Sequence, residues 1–161
     1  VGCGTGAAAR LAAQTAAFVT GVDLSPKMIA QANDLGGHLQ NVRFEVADAE
    51  RLPFGNGAFT AVLCSNSFHH YPDPAGAVRE MARVLSPGGR LVIGDACSDL
   101  LAARVADFFL RHLEPGHVRL HRSEELGAFL HGAGCAEVQI RRLQQGGFAI
   151  VRGVVGEFTR P

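Results

Sequence analysis

GAFTAVLCSNSFHHYPDPAGAVREMARVLSPGGRLVIGDA, residues 57–96, reads as strand, turn, helix, turn and strand. Residues 58–64 are a continuous apolar run, as a strand buried on both faces requires. Val78, Met81, Ala82 and Leu85 share one stripe of an amphipathic helix over 75–89, closed by Pro87-Gly88-Gly89. Residues 90–96 form a second buried strand. Two buried strands joined through a helix run parallel.

The pattern extends towards the N-terminus. VGCGTG (1–6) is a glycine-rich turn, and AAARLAAQTAAF (7–18) reads as a helix. A strand over 18–25 ends in Asp23, and Ser25-Pro26 supplies a cap and a first residue for a helix over 26–37. Gly36-Gly37 stops that helix. Residues 41–54 give a short strand, Asp48 and a turn. Alternating strands and helices require a doubly wound α/β sheet, mostly parallel, with helices on both faces.

The C-terminal part differs. Residues 98–113 form an amphipathic helix with Leu101, Val105, Phe108 and Phe109 on its apolar side. Such a stripe packs into a core, or alternatively covers an apolar substrate. A helix over 123–134 has Ser123 as its cap and two glutamates in its first turn. Residues 136–143 and 146–155 form an antiparallel hairpin across Gln144–Gly147.

The 161 residues fit one domain, 1–161. Fifteen basic and fifteen acidic side chains cancel, which argues against nucleic acid as a partner or an anionic surface for the whole protein. Cys3, Cys64, Cys97 and Cys135 make no C-x-x-C pair, so they read as buried, reduced thiols of a cytoplasmic protein. No apolar run reaches the roughly 18–20 residues of a membrane span. His117 and His121 are four apart, but no carboxylate pair completes a metal site with them and His112.

Gly2-x-Gly4-x-Gly6 lets the backbone turn sharply and a ligand approach the main chain. Asp23 at the next strand end can accept from two ribose hydroxyls, which fits a dinucleotide or an adenosyl ligand. Asp48 separates the two, because a carboxylate there can accept from an adenine amine between Met28 and Leu52. His69 and His70 follow the fourth strand at its carboxyl end, where open α/β sheets bind ligands. Imidazole titrates near neutral pH, so either could be a base, with His69 favoured for the pocket and His70 for packing.

VGCGTG, GVDLSPKM, VADAERLPF, FTAVLCSNSFHHYPDP and RVLSPGGRLVIGD, in that order, resemble class I S-adenosylmethionine-dependent methyltransferases. The similarity is greatest to the small-molecule branch that includes ubiquinone- and menaquinone-biosynthesis-type enzymes. It covers residues 1–96, and more weakly the hairpin over 136–155. The resemblance implies a Rossmann-like sheet whose last strand inserts antiparallel, and a first strand largely missing here, as in a fragment. It implies that Gly2, Cys3, Gly4 and Gly6 lie against the methionine part of the cofactor. Asp23 would take the ribose, with Leu24 and Met28 beside the adenine and Asp48 and Ala49 at its edge. Ser65 and Asn66 would line the methyl-transfer pocket, and His69 would be the catalytic base. The acceptor would be a small molecule, and segment 97–122 would select it. The oligomeric state stays open, a homodimer included. A nicotinamide-dependent oxidoreductase and a non-catalytic protein of the same fold are the alternatives.

Overall fold

The computed structural model describes residues 1–114, 116–143 and 147–156. The helices are α1 (Ala7–Ala12), α2 (Pro26–Gly36), α3 (Pro74–Arg83), α4 (Leu101–Leu113) and α5 (Ser123–Gly132). The strands are β1 (Val19–Asp23), β2 (Val42–Val46), β3 (Phe59–Ser65), β4 (Leu85–Ala96), β5 (Cys135–Leu143) and β6 (Phe148–Val155). β1 pairs parallel with β2, and β3 parallel with β4. β6 inserts antiparallel between β4 and β5. Only β6 opposes the direction of its sheet, so the Rossmann-like α/β class with an antiparallel ending stands. The turn residues 144–146 of the expected hairpin lie outside the described residues.

The sheet is interrupted between β1 and β3. The order is β2–β1, then separately β3–β4–β6–β5. Residues 1–3 link the two parts. The Val1 amino group donates to the Leu63 carbonyl at 2.7 Å, and the Cys3 N–H to the Val22 carbonyl at 2.9 Å. β3 is an edge strand of its sheet, and it is not buried on both faces. Val62 and Cys64 are buried, but Ala61 and Leu63 are exposed and line the cavity between β1 and β3.

Two helices are shorter than expected. α1 ends at Ala12, because Asn41 Nδ2 takes the Ala13 and Ala16 carbonyls that a longer helix would use. α3 ends at Arg83, and after Val84 the chain enters β4 at Leu85. Ser86 precedes a proline, which disfavours helical geometry there. The α3 stripe is as expected: Val78, Met81 and Ala82 are buried, with Leu85 beside them. Together with Leu126 and Leu130 of α5, they cover Leu91, Ile93 and Val151 in one core.

Two local expectations are corrected. Ser123 opens α5 rather than capping it. Its N–H donates to Asp99 Oδ1 (2.9 Å), while Glu125 Oε2 accepts from the Arg122 N–H (2.9 Å). Cys64, Cys97 and Cys135 are buried thiols, whereas Cys3 is only half-buried.

Candidate active site

The glycine loop has a conformation that side chains resist. Gly2, Gly4 and Gly6 have φ of 63°, 51° and 81°. A Cβ at Gly2 would strike the Ser67 side chain, and one at Gly6 would strike the Phe44 ring. Those two glycines are required by packing. A Cβ at Gly4 would meet nothing within 4 Å, so there the bare main chain faces open space. α1 has only six residues and contributes little dipole, so the loop itself is what the fold offers a ligand.

Asp23 organises the loop from the end of β1. Its Oδ2 accepts from the Gly4 N–H at 2.8 Å, and its Oδ1 from the Ser25 N–H at 2.9 Å. Each oxygen keeps a further lone pair for an incoming hydroxyl. Ser25 caps α2 by accepting from the Met28 N–H at 3.3 Å. Leu24 is 69% exposed beside this turn, and Met28 is half-buried. Asp48 Oδ1 accepts from the Glu50 N–H at 2.9 Å, which holds an exposed turn beyond β2. Ala49 is buried beneath it. The ends of β1 and β2 are tied by the Ala47 N–H donating to the Asp23 carbonyl at 3.0 Å.

Beyond β3, Ser65 is half-buried and Asn66 adopts a left-handed φ of 51°. A 3₁₀ turn over Phe68–His70 follows. Beneath the glycine loop Cys64 Sγ, Ser67 Oγ and Tyr71 Oη form a polar cluster, with Ser67 3.2 Å from both partners. Burial pushes the Cys64 thiol and the Tyr71 phenol up, which makes both supports rather than reactants.

His69 and His70 point to different partners. His69 Nδ1 lies 2.7 Å from Asp95 Oδ1. His70 Nδ1 lies 2.8 Å from the Gly116 carbonyl. Asp95, at the end of β4, is 2% exposed and also accepts from the Phe68 (2.6 Å) and Ala96 (2.7 Å) N–H groups. That carboxylate is therefore fixed. With Nδ1 donating to it, His69 presents Nε2 as the basic nitrogen. The Asp95 hydrogen bond raises the His69 pKa, and burial opposes it in part. Asp95, Ser67 and Tyr71 are not among the residues that the sequence singles out. An acidic residue closing a buried strand was the available signal for Asp95.

A cavity of about 560 Å³ among the described residues does not contain this pair. It lies between β1 and β3 and reaches the site only at its rim, through Gly2, Cys3, Ser65 and Asn66. The three histidines of the 97–122 segment have structural partners. His117 Nε2 lies 2.8 Å from Asp107 Oδ1, His121 packs against Phe68 and Phe129, and His112 Nδ1 lies 2.8 Å from the Phe108 carbonyl.

A family model described as a methyltransferase domain matches residues 1–93. This chain belongs to the methyltransferase domain family. The match takes in the glycine loop, Asp23, Asp48 and His69 and stops just short of Asp95. The 27-O-demethylrifamycin SV methyltransferase of Amycolatopsis mediterranei is 42% identical over 59% of the chain and 36% of its own length. This methyltransferase-domain chain thus spans about a third of that relative. The demethylmenaquinone methyltransferase of Tropheryma whipplei is 32% identical over 97% of the chain and 73% of its own length. The crystal structure of YcgJ from Bacillus subtilis superposes with a TM-score of 0.81 at 25% identity, over 97% of this chain and 90% of that one.

Proposed function

We propose that the chain transfers a methyl group from S-adenosylmethionine to a small-molecule acceptor. The observation that carries this reading is the double role of Asp23, which anchors the glycine loop at Gly4 and the start of α2 at Ser25. It leaves a carboxylate, an open main chain and the exposed Leu24 on one rim. These suit a ribose, an amino-acid tail and an adenine face respectively. Gly2, Cys3, Gly4 and Gly6 would hold the methionine part. Asp23 would hold the ribose, Leu24 and Met28 the adenine, Asp48 and Ala49 its edge, and Ser65 the pocket wall.

S-adenosylmethionine supplies an activated sulfonium methyl when bound. The chain has to align the acceptor in line with the methyl–sulfur bond and exclude water. His69 Nε2 takes the acceptor's proton where the acceptor must lose one, and Asp95 holds the imidazole in the required tautomer. Segment 97–122 shapes the acceptor's side of the pocket, and the reaction takes place in the cytoplasm.

The test is transfer of labelled methyl from S-adenosylmethionine to a panel of small phenols, quinols and alcohols. Transfer that His69→Gln abolishes supports the base. Transfer that His69→Gln leaves intact removes the base but keeps the methyltransferase. No transfer to any panel member by a chain that also fails to bind S-adenosylhomocysteine contradicts the proposal.

A further inference from the structure

α4 packs against the body with its polar side. Asp107 is its only fully buried residue, while Leu101, Val105, Phe108 and Phe109 are each more than half exposed. The segment 116–122 crosses beside it. The Val118 and Arg119 N–H groups donate to the His69 carbonyl at 3.0 and 3.1 Å. Between α4 and this segment lies a cleft of about 450 Å³, lined by Arg104, Arg111, Arg119 and Arg122, with Asp107, Ser98 and Leu120 beneath and Phe108 at its edge.

Four guanidinium groups around one cleft repel one another unless anions balance them. Two carboxylates are present, and both are engaged. Asp107 pairs with Arg111 and accepts from His117 and the Leu120 N–H. Glu125 pairs with Arg119 at 2.6 Å and accepts from the Arg122 N–H. Arg104 donates its Nε to the Ser98 carbonyl at 3.0 Å, which neutralises nothing. Among the described residues, no carboxylate pairs with Arg104 or Arg122. Two positive charges are left over at the cleft. They sit on side chains whose planar forks suit tetrahedral oxyanions.

We propose that this cleft is a binding site for a phosphate-type oxyanion. Its position behind the His69 turn, with Phe108 on its edge, suits a phosphate group carried on an apolar or aromatic body. The body would lie along Phe108 and the outward stripe of α4. The inference is independent of methyl transfer, because it concerns binding alone.

The experiment is calorimetric titration of the full chain with inorganic phosphate and phenyl phosphate at fixed ionic strength. Sedimentation with phosphatidylglycerol or phosphatidylcholine vesicles forms a separate arm. The expected result is phosphate binding that weakens about tenfold in the Arg104→Gln/Arg122→Gln variant. Tighter binding of phenyl phosphate than of phosphate places the group on a soluble ligand. Sedimentation with phosphatidylglycerol alone, lost in the variant, places it on a lipid headgroup. Both variant positions are exposed, and an unchanged melting temperature verifies that the variant is folded. Binding of neither phosphate nor vesicles, or binding that the variant retains, overturns the proposal.

Discussion

α3 and α4 carry amphipathic patterns of similar length, and the fold uses them in opposite ways. α3 turns Val78, Met81 and Ala82 into the core against β4 and α5. α4 turns Leu101, Val105, Phe108 and Phe109 outward and buries Asp107. The first helix is held by removal of apolar area from water. The second is held by a buried carboxylate that accepts from His117 and the Leu120 N–H of the neighbouring segment, with Arg111 of the same helix beside it. A periodic pattern defines a face, and tertiary partners decide which way it points.

The largest expected effect lies in the α3 region. Met81→Ala empties a fully buried site and should cost about 3 kcal/mol in chemical denaturation. A cost below about 1 kcal/mol would mean that the α3 contact is not what holds this half.

The same measurement on Asp107→Asn should show a loss of about 2 kcal/mol, through weakened hydrogen bonds to His117 and Leu120. The loss should also depend on pH. Burial pushes the Asp107 carboxyl up, but His117, Arg111 and the Leu120 N–H outweigh it and hold the carboxyl below its ordinary range. A depressed folded pKa stabilises the fold above the unfolded value and loses that contribution as pH falls through the folded one. The wild-type advantage over the variant should therefore be full above about pH 4 and disappear in stronger acid. An advantage that is flat across that range would remove the charged Asp107 from the account.

Asp95→Asn separates fold from chemistry. It should lower the methyl-transfer rate about a hundredfold for an acceptor that must lose a proton. It should also shift the rising limb of the pH–rate profile to lower pH. The Asp95 hydrogen bond raises the His69 pKa, so the base form appears at higher pH than for an ordinary imidazole in the wild type. A rate loss without a shifted limb would make Asp95 structural only. The smallest effect belongs to the outward face of α4. Phe109→Ser should change stability by less than about 0.5 kcal/mol.

The regions differ equally in what their sequence revealed. The alternation of strands and helices, the Ser25-Pro26 start of α2 and the three loop glycines were legible, because each follows from local rules of burial, capping and backbone freedom. The end of α1 was not legible, since Asn41 reaches it from 25 residues away in sequence. The open face of β3 was not legible either, because it depends on what lies between β1 and β3. Asp23, Asp48 and His69 could be singled out as side chains at strand ends. Their partners could not: the Asp95 bond to His69 spans 26 residues and needs the register of β3 against β4.

The most direct measurement is calorimetric titration of S-adenosylhomocysteine into the chain and into Asp23→Ala, with NAD in parallel. The account predicts micromolar binding of S-adenosylhomocysteine, none of NAD, and a loss of at least about tenfold in affinity in the variant. Binding of NAD in preference, or S-adenosylhomocysteine affinity that the variant retains, would contradict it.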